Sequence, residues 1–228
     1  MYWIQNYQLF LFDFDGLLVN TEHLHFQAYI NTCAKRGFHL NWGFYQFCEV
    51  AHLGGDAIPD ALYAEFPDMK ACDPNWAAFY ADKKNEYKKL LLSGKIELMP
   101  GVGPLLQSLQ AMDIRRCVVT NSPREQIEII SSYLPLLKTI PYWVTRELYE
   151  KAKPHPECYL KAIQLYSKPN DRIIGFEDSV RGLKALSQTP AISVLICESH
   201  YPHLNAIQDE YEALHHYETF DAIPPSGP

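Results

Sequence analysis

The stretch YQLFLFDFDGLLVNTE, Tyr7 to Glu22, decides how the chain is read. An apolar run climbs to Phe12, two aspartates follow as Asp13-Phe14-Asp15, and Gly16 comes next. A continuous apolar run of this length is expected of a strand buried on both faces, so Leu9–Phe14 reads as a strand of a mostly parallel sheet. Burying a carboxylate is costly unless a cation or a hydrogen-bond partner compensates it. Either the strand ends in solvent, or something cationic sits at its end.

Working outward, Arg116–Thr120, Tyr142–Thr145, Arg172–Glu177 and Ile192–Cys197 have the same apolar character. Helical patterns lie between them. Val102, Leu105, Leu106 and Leu109 form one apolar stripe, with Pro104 suited to a first turn; Tyr159, Ala162, Ile163 and Tyr166 form another. Strands alternating with helices predict an α/β fold: a Rossmann-like, mostly parallel sheet with helices on both faces. Ligands of such sheets bind beyond the carboxyl ends of the strands, where Asp13 and Asp15 stand.

The alternation breaks once. About 80 residues of helix-like sequence follow the first strand, far beyond an ordinary crossover. Phe26, Tyr29, Ile30 and Cys33 mark one helical stripe there, and Trp76, Phe79, Tyr80 and Tyr87 another. Residues 20–95 therefore read as an inserted helical cap, and residues 1–19 with 96–228 as the core domain. The aromatic stretch NWGFYQF, Asn41 to Phe47, either lines a pocket or packs a helix against its own core.

Composition bounds the rest. Across 228 residues, 47% hydrophobic and 13% aromatic content is enough for a substantial core. A net charge of −7 argues against a nucleic-acid polymer as partner, since that requires a basic footprint. The six cysteines form no CxxC pair and read as reduced, small apolar residues; the nine histidines show no zinc-ligand spacing. His23, His39, His52 and the His215-His216 pair read as residues without a functional role. No run is long enough to span a membrane and no signal peptide is recognisable, so a cytoplasmic protein is expected, monomeric or weakly homo-oligomeric.

Four strand ends offer chemistry. The first carries Asp13 and Asp15. The second ends in Thr120-Asn121, and Ser122-Pro123-Arg124-Glu125 then reads as a helix start with a capping box, whose free N–H groups suit phosphate. The third leads to Lys153 within KPHP, and the fourth ends in Glu177-Asp178 before Ser179 opens a helix. Several ionised carboxylates in a small space require a cation, and oxygen ligands of this kind suit Mg²⁺. A carboxylate attacking a phosphoryl group in line would form an aspartyl-phosphate, with a second carboxylate protonating the leaving oxygen and then activating water.

In order and spacing these segments resemble the haloacid dehalogenase superfamily, in the branch that contains beta-phosphoglucomutase and small phosphatases with a helical cap. DFDGLLVNTE is similar to that family's opening motif and VVTNS to its second. KAKPHPECY resembles the lysine motif, and IIGFEDSVRGLKA the metal motif. The resemblance covers Leu9 to Ala185. It implies Asp13 as nucleophile and Asp15 as general acid/base. Thr120, Asn121 and Lys153 would bind the phosphoryl group. Asp13, the backbone carbonyl of Asp15, and Asp178 would hold Mg²⁺, with Glu177 either a further ligand or a neighbour of the ligands. Thr21 and His25 match cap residues that coordinate closure with the acid/base aspartate.

The chain departs from the family pattern at several positions. Asn20 replaces a usual aspartate, and Ala152 replaces the glycine before the lysine. AHLGGDAIPDAL keeps the cap's glycine turn without the basic residues that grip a second phosphate in the mutase, and Pro123 stands where the mutase has a lysine. The expectation is a Mg²⁺-dependent phosphatase acting on a small phosphate ester. A sugar phosphomutase and a catalytically silent phospho-ligand binder are the alternatives.

Overall fold

The computed structural model describes residues 2–53, 57–72, 74–199, 201, 204, 207 and 215–228. Gly54, Gly55 and Asp56, at the centre of the stretch that the sequence reading takes for a glycine turn, lie outside the described residues. The chain divides into two compact units, residues 1–20 with 96–228 and residues 21–95.

In the first unit, β1 (Leu9–Phe12) is completely buried. Its period of two splits the core. Leu9 and Leu11 pack with Cys117, Val119, Tyr159 and Leu186 on one face. Phe10 and Phe12 stack on Phe176 on the other, with ring centroids 6.1 and 5.4 Å apart. A strand apolar on both faces can sit only inside a covered sheet, and that is its place.

The second unit supplies the next five elements: α1 (Glu22–Lys35), α2 (Phe44–Ala51), α3 (Ala57–Glu65), α4 (Pro67–Cys72) and α5 (Trp76–Leu92). Helix α1 packs on α5, and Tyr29 stacks on Phe79, which Trp76 covers at a centroid distance of 4.9 Å. Phe47 of α2 is buried against Phe26, 5.2 Å between centroids, so this part of the aromatic stretch packs the unit's own core.

The first unit then resumes with α6 (Val102–Ala111), β2 (Arg115–Val119), α7 (Arg124–Tyr133), β3 (Tyr142–Val144) and α8 (Glu157–Tyr166). It ends with β4 (Ile173–Glu177), α9 (Val180–Ser187), β5 (Ile192–Ile196) and β6 (His215–Tyr217). The sheet order is β3-β2-β1-β4-β5-β6, with every pairing parallel. Val102, Leu105, Leu106 and Leu109 are all buried on α6. Asn20 closes the first unit's opening segment against its return: its N–H donates to the Glu97 carbonyl at 3.1 Å, and its Oδ1 accepts the Glu97 N–H at 2.8 Å.

The sixth strand corrects the sequence reading of five. His215 and His216 are strand residues, His215 pairing with Val194, and His216 Nε2 lies 2.8 Å from the Cys197 carbonyl. Three residues rich in histidine carry no apolar run, so periodicity gives no warning of the strand. All six cysteines are free thiols. Among the described residues, no helix is long and apolar enough to cross a membrane.

Candidate active site

Strands β2, β1 and β4 are neighbours, and the register pairs Phe12 with both Val118 and Phe176. Their carboxyl ends therefore open at one level. The ladder continues just past the strands, with Asp13 N–H donating to the Phe176 carbonyl and Thr120 N–H to that of Val144, each at 3.0 Å. The order reverses between β1 and β4, the crevice that parallel sheets use for ligands.

Lys153 enters from the connection between β3 and α8. Pro156 precedes the first residue of α8, so the segment carrying the lysine stays outside the helix. The side chain is almost wholly buried, and Nζ donates to Asp13 Oδ1 at 2.5 Å, Glu177 Oε1 at 2.7 Å and the Val119 carbonyl at 2.9 Å. Burial alone would lower the lysine's pKa, but the carboxylates of Asp13 and Glu177 overcome it and hold the value far above the ordinary one. Lys153 is thus a fixed cation.

Glu177 ends β4 fully buried. Its Oε1 also receives the hydroxyl of Tyr159, a residue that the helical stripe marked only as core. Burial raises the Glu177 carboxyl above its usual range, against the pull of Lys153. Its Oε2 is buried without a hydrogen-bond partner. Gly182 explains the fit, because a Cβ there would lie 1.8 Å from Oε2. Next to Glu177, Asp178 is buried too, and Asp13, Glu177 and Asp178 each bring a carboxylate oxygen within 4.8 Å of the others. Three neighbouring carboxylates, two of them on the Lys153 ammonium, form a cluster of net negative charge with oxygen donors only. That donor set fits a hard metal cation.

Asp15 is held differently. Gly16 behind it takes φ +83°, a left-handed turn that favours glycine. Ser122 Oγ–H donates to Asp15 Oδ2 at 2.5 Å and Gln126 Nε2–H to Oδ1 at 3.0 Å, while the Thr120 hydroxyl stands 3.5 Å from Oδ2. Thr120 Oγ1 also accepts the Ser122 N–H at 2.9 Å.

This arrangement corrects the capping-box reading. Pro123, not Ser122, occupies the N-cap of α7, and no side chain caps it from that position. Glu147, oriented by the Thr145 hydroxyl at 2.6 Å, accepts the Arg124 N–H at 3.0 Å instead. A carboxylate already serves that helix start, so α7 is a poorer phosphate site than its sequence suggests. Asn121 Oδ1 lies 2.7 Å from the Tyr149 hydroxyl, which lies equally near the Thr120 carbonyl. Helix α9 does begin as expected, the Ser179 hydroxyl accepting the Gly182 N–H at 3.1 Å.

Ser122, Gln126, Tyr149, Tyr159 and Gly182 are the residues that sequence reasoning missed or assigned to other tasks. Gln126 stands four residues after Ser122, which lies just before the helix, and that spacing of about one turn is the signal the sequence offers.

The two remaining candidates belong to the second unit. Thr21 is fully buried at the N-cap of α1, without a side-chain cap bond. The His25 ring stacks on Tyr87 at 3.8 Å, and its Nδ1 lies 2.6 Å from Lys83 Nζ. An ammonium only donates, so Nδ1 carries no proton and the neutral ring holds its proton on Nε2. Burial, and then the Lys83 charge, push the histidine's pKa well below its usual value. Lys83 is itself buried, 4.8 Å from the Tyr29 ring centre.

Comparison with known proteins agrees with this geometry. The chain is 26% identical over 194 residues to the protein CbbY of Rhodobacter capsulatus, covering 84% of this chain and 85% of that one. It is 27% identical over 180 residues to a phosphorylated carbohydrates phosphatase of Thermotoga maritima, covering 77% and 78% of the two chains. The crystal structure of CbbY from Rhodobacter sphaeroides in complex with phosphate shares the fold, with a TM-score of 0.73, 21% identity and coverage of 94% and 95%. The family model described as haloacid dehalogenase-like hydrolase matches residues 10–195, from the strand before Asp13 through the one after Asp178. A match of that extent, over a site built in that order, makes the chain a member of the haloacid dehalogenase-like hydrolase family.

Proposed function

We propose that this protein is a Mg²⁺-dependent phosphatase that hydrolyses a small phosphorylated metabolite through an aspartyl-phosphate. The observation that carries this reading is the Asp13 carboxylate, held through Oδ1 by the buried Lys153, with the Asp15 carboxylate two residues along the chain. The names of its relatives, one of them a phosphatase of phosphorylated carbohydrates, support the same class of reaction.

Asp13 Oδ2 attacks phosphorus in line, forming an Asp13–O–P bond as the bond from phosphorus to the ester oxygen breaks. Asp15 gives its proton to the departing oxygen. It then takes one from the water that attacks the phosphoryl group, restoring both aspartates. The Lys153 ammonium and the Thr120 hydroxyl bind phosphoryl oxygens, with the Asn121 amide beside them. Asp13, the Asp15 backbone carbonyl and Asp178 would hold Mg²⁺, which when bound supplies positive charge to the phosphoryl group. Glu177 spends one oxygen on Lys153 and Tyr159, a use that favours its orienting the lysine over its serving as a full ligand. Residues 20–95 are proposed as the cap that supplies substrate selectivity, with Thr21 and His25 among its working residues.

The test is phosphate release from a panel of sugar phosphates, nucleotides, phosphoglycolate and glycerol phosphate, with Mg²⁺ and with EDTA, beside Asp13→Asn. Release that needs the metal and falls at least about a thousandfold in Asp13→Asn is expected. Turnover surviving that substitution, or isomerisation of a sugar 1-phosphate with no net phosphate loss, overturns the reading.

A further inference from the structure

We infer that Gln126 is a positioning residue for Asp15, fixing the plane of its carboxylate for both proton transfers. The inference rests on the phosphatase reading above.

The geometry is a closed ring of three side chains. One Gln126 Nε2–H donates to Asp15 Oδ1 at 3.0 Å, and the other to Ser122 Oγ, also at 3.0 Å. Ser122 Oγ–H donates to Asp15 Oδ2 at 2.5 Å. Both carboxylate oxygens are held. A carboxylate turns readily about its last torsion, and one donor alone leaves that rotation open. A serine hydroxyl also rotates freely until something binds its oxygen. By donating to Ser122 Oγ, Gln126 leaves the serine proton directed at Asp15, so it restrains one carboxylate oxygen directly and the other through the serine.

Gln126 has no competing duty as a helix cap. It is the third residue of α7, where a glutamine can reach back to the N-cap N–H. The N-cap here is Pro123, which has no N–H to give.

The test compares Gln126→Met and Gln126→Glu with the native protein on two probes, glycerol phosphate and p-nitrophenyl phosphate, each with Mg²⁺. Alkyl oxygen leaves only with a proton, whereas p-nitrophenolate leaves without one. Dephosphorylation of Asp13 needs a base with either probe. In both variants, kcat on glycerol phosphate is expected to fall about ten- to a hundredfold, within the range of general acid–base catalysis, with KM changed little. With p-nitrophenyl phosphate the first equivalent of nitrophenolate should appear at the native rate and further turnover should be slow, giving a burst. Gln126→Glu keeps the shape and loses the donors, so it decides the question should Gln126→Met fail to fold. Native kcat in both variants, an equal slowing of burst and steady phases, or a change confined to KM overturns the inference. Absence of phosphate release by the native protein from both probes and from every member of the panel above overturns the phosphatase reading itself, and the inference with it.

Discussion

Glu177 shows how closely single residues are fitted in this site. One carboxylate oxygen meets Lys153 at 2.7 Å and the Tyr159 hydroxyl, while the other lies against Gly182 with no hydrogen-bond partner. A methyl group at position 182 would stand 2.0 Å from the carboxylate carbon, so Gly182→Ala must displace the Glu177 side chain. The carboxylate cannot move without leaving Lys153, and Lys153 holds the proposed nucleophile. Overpacking of this kind costs about 1–3 kcal/mol. Gly182→Ala is therefore expected to lower the midpoint of thermal unfolding by several degrees and kcat by more than about tenfold, a misplaced group costing more than the lost stability suggests. Native kcat in the folded variant would show that Glu177 does not orient Lys153. The sequence marks Gly182 as part of a motif, but the reason for a glycine exists only once α9 is packed on β4. Asp13, Lys153 and Asp178 could be read from chain order because strand ends are visible as apolar runs. Ser122 could not, because a serine before a proline and a glutamate has the local signature of a cap, and its true partner lies 107 residues earlier in the chain.

At the scale of elements, apolar periodicity located β1 to β5 and the main helices, and it failed where polarity concealed an element. The third to fifth strands of the sheet are recognisable from Val144, Phe176 and Val194, whereas β6 consists of His215, His216 and Tyr217. The packing of α1 on α5 has the same character. Aromatic stripes announce it, but a part-buried pair between the two helices is polar: Lys83 donating to His25. That pair makes stability depend on pH. His25 has a folded-state pKa well below 6.5, lowered by burial and then by Lys83, and in the unfolded chain it titrates near 6.5. Between the two values the unfolded chain binds the extra proton. The stabilisation is therefore complete above the unfolded value and is lost as pH falls below it, with a slope of at most about 1.4 kcal/mol per pH unit. His25→Gln keeps an acceptor for Lys83 and removes the titration. Denaturant melts between pH 5 and 7.5 should give a shallower pH slope for His25→Gln than for the native protein, and equal slopes would assign the acid sensitivity to other groups.

Over the whole molecule, the cysteines report on how the two units are built. Cys33 and Cys48 lie in the core of residues 21–95; Cys117, Cys158 and Cys197 lie in the larger unit, and all five are buried, while Cys72 is exposed. Thiolate is the reactive form, and burial pushes the thiols of Cys33 and Cys158 up to about 11 and that of Cys117 higher still. A disulfide reagent at neutral pH should therefore consume one thiol per chain rapidly, and Cys72→Ser should abolish that phase. The other five can react only when their surroundings open. A shorter chain segment buries a smaller fraction of its surface and opens at lower free energy. Cys33 and Cys48 should accordingly be modified before Cys117 and Cys158 as denaturant is raised below the global transition, which peptide mapping after quenching would resolve. Modification of all five buried thiols at one rate would mean that the chain opens as a single cooperative body. In that case the helical insertion would share the stability of the sheet that carries Asp13, and the division into two units would be one of geometry alone.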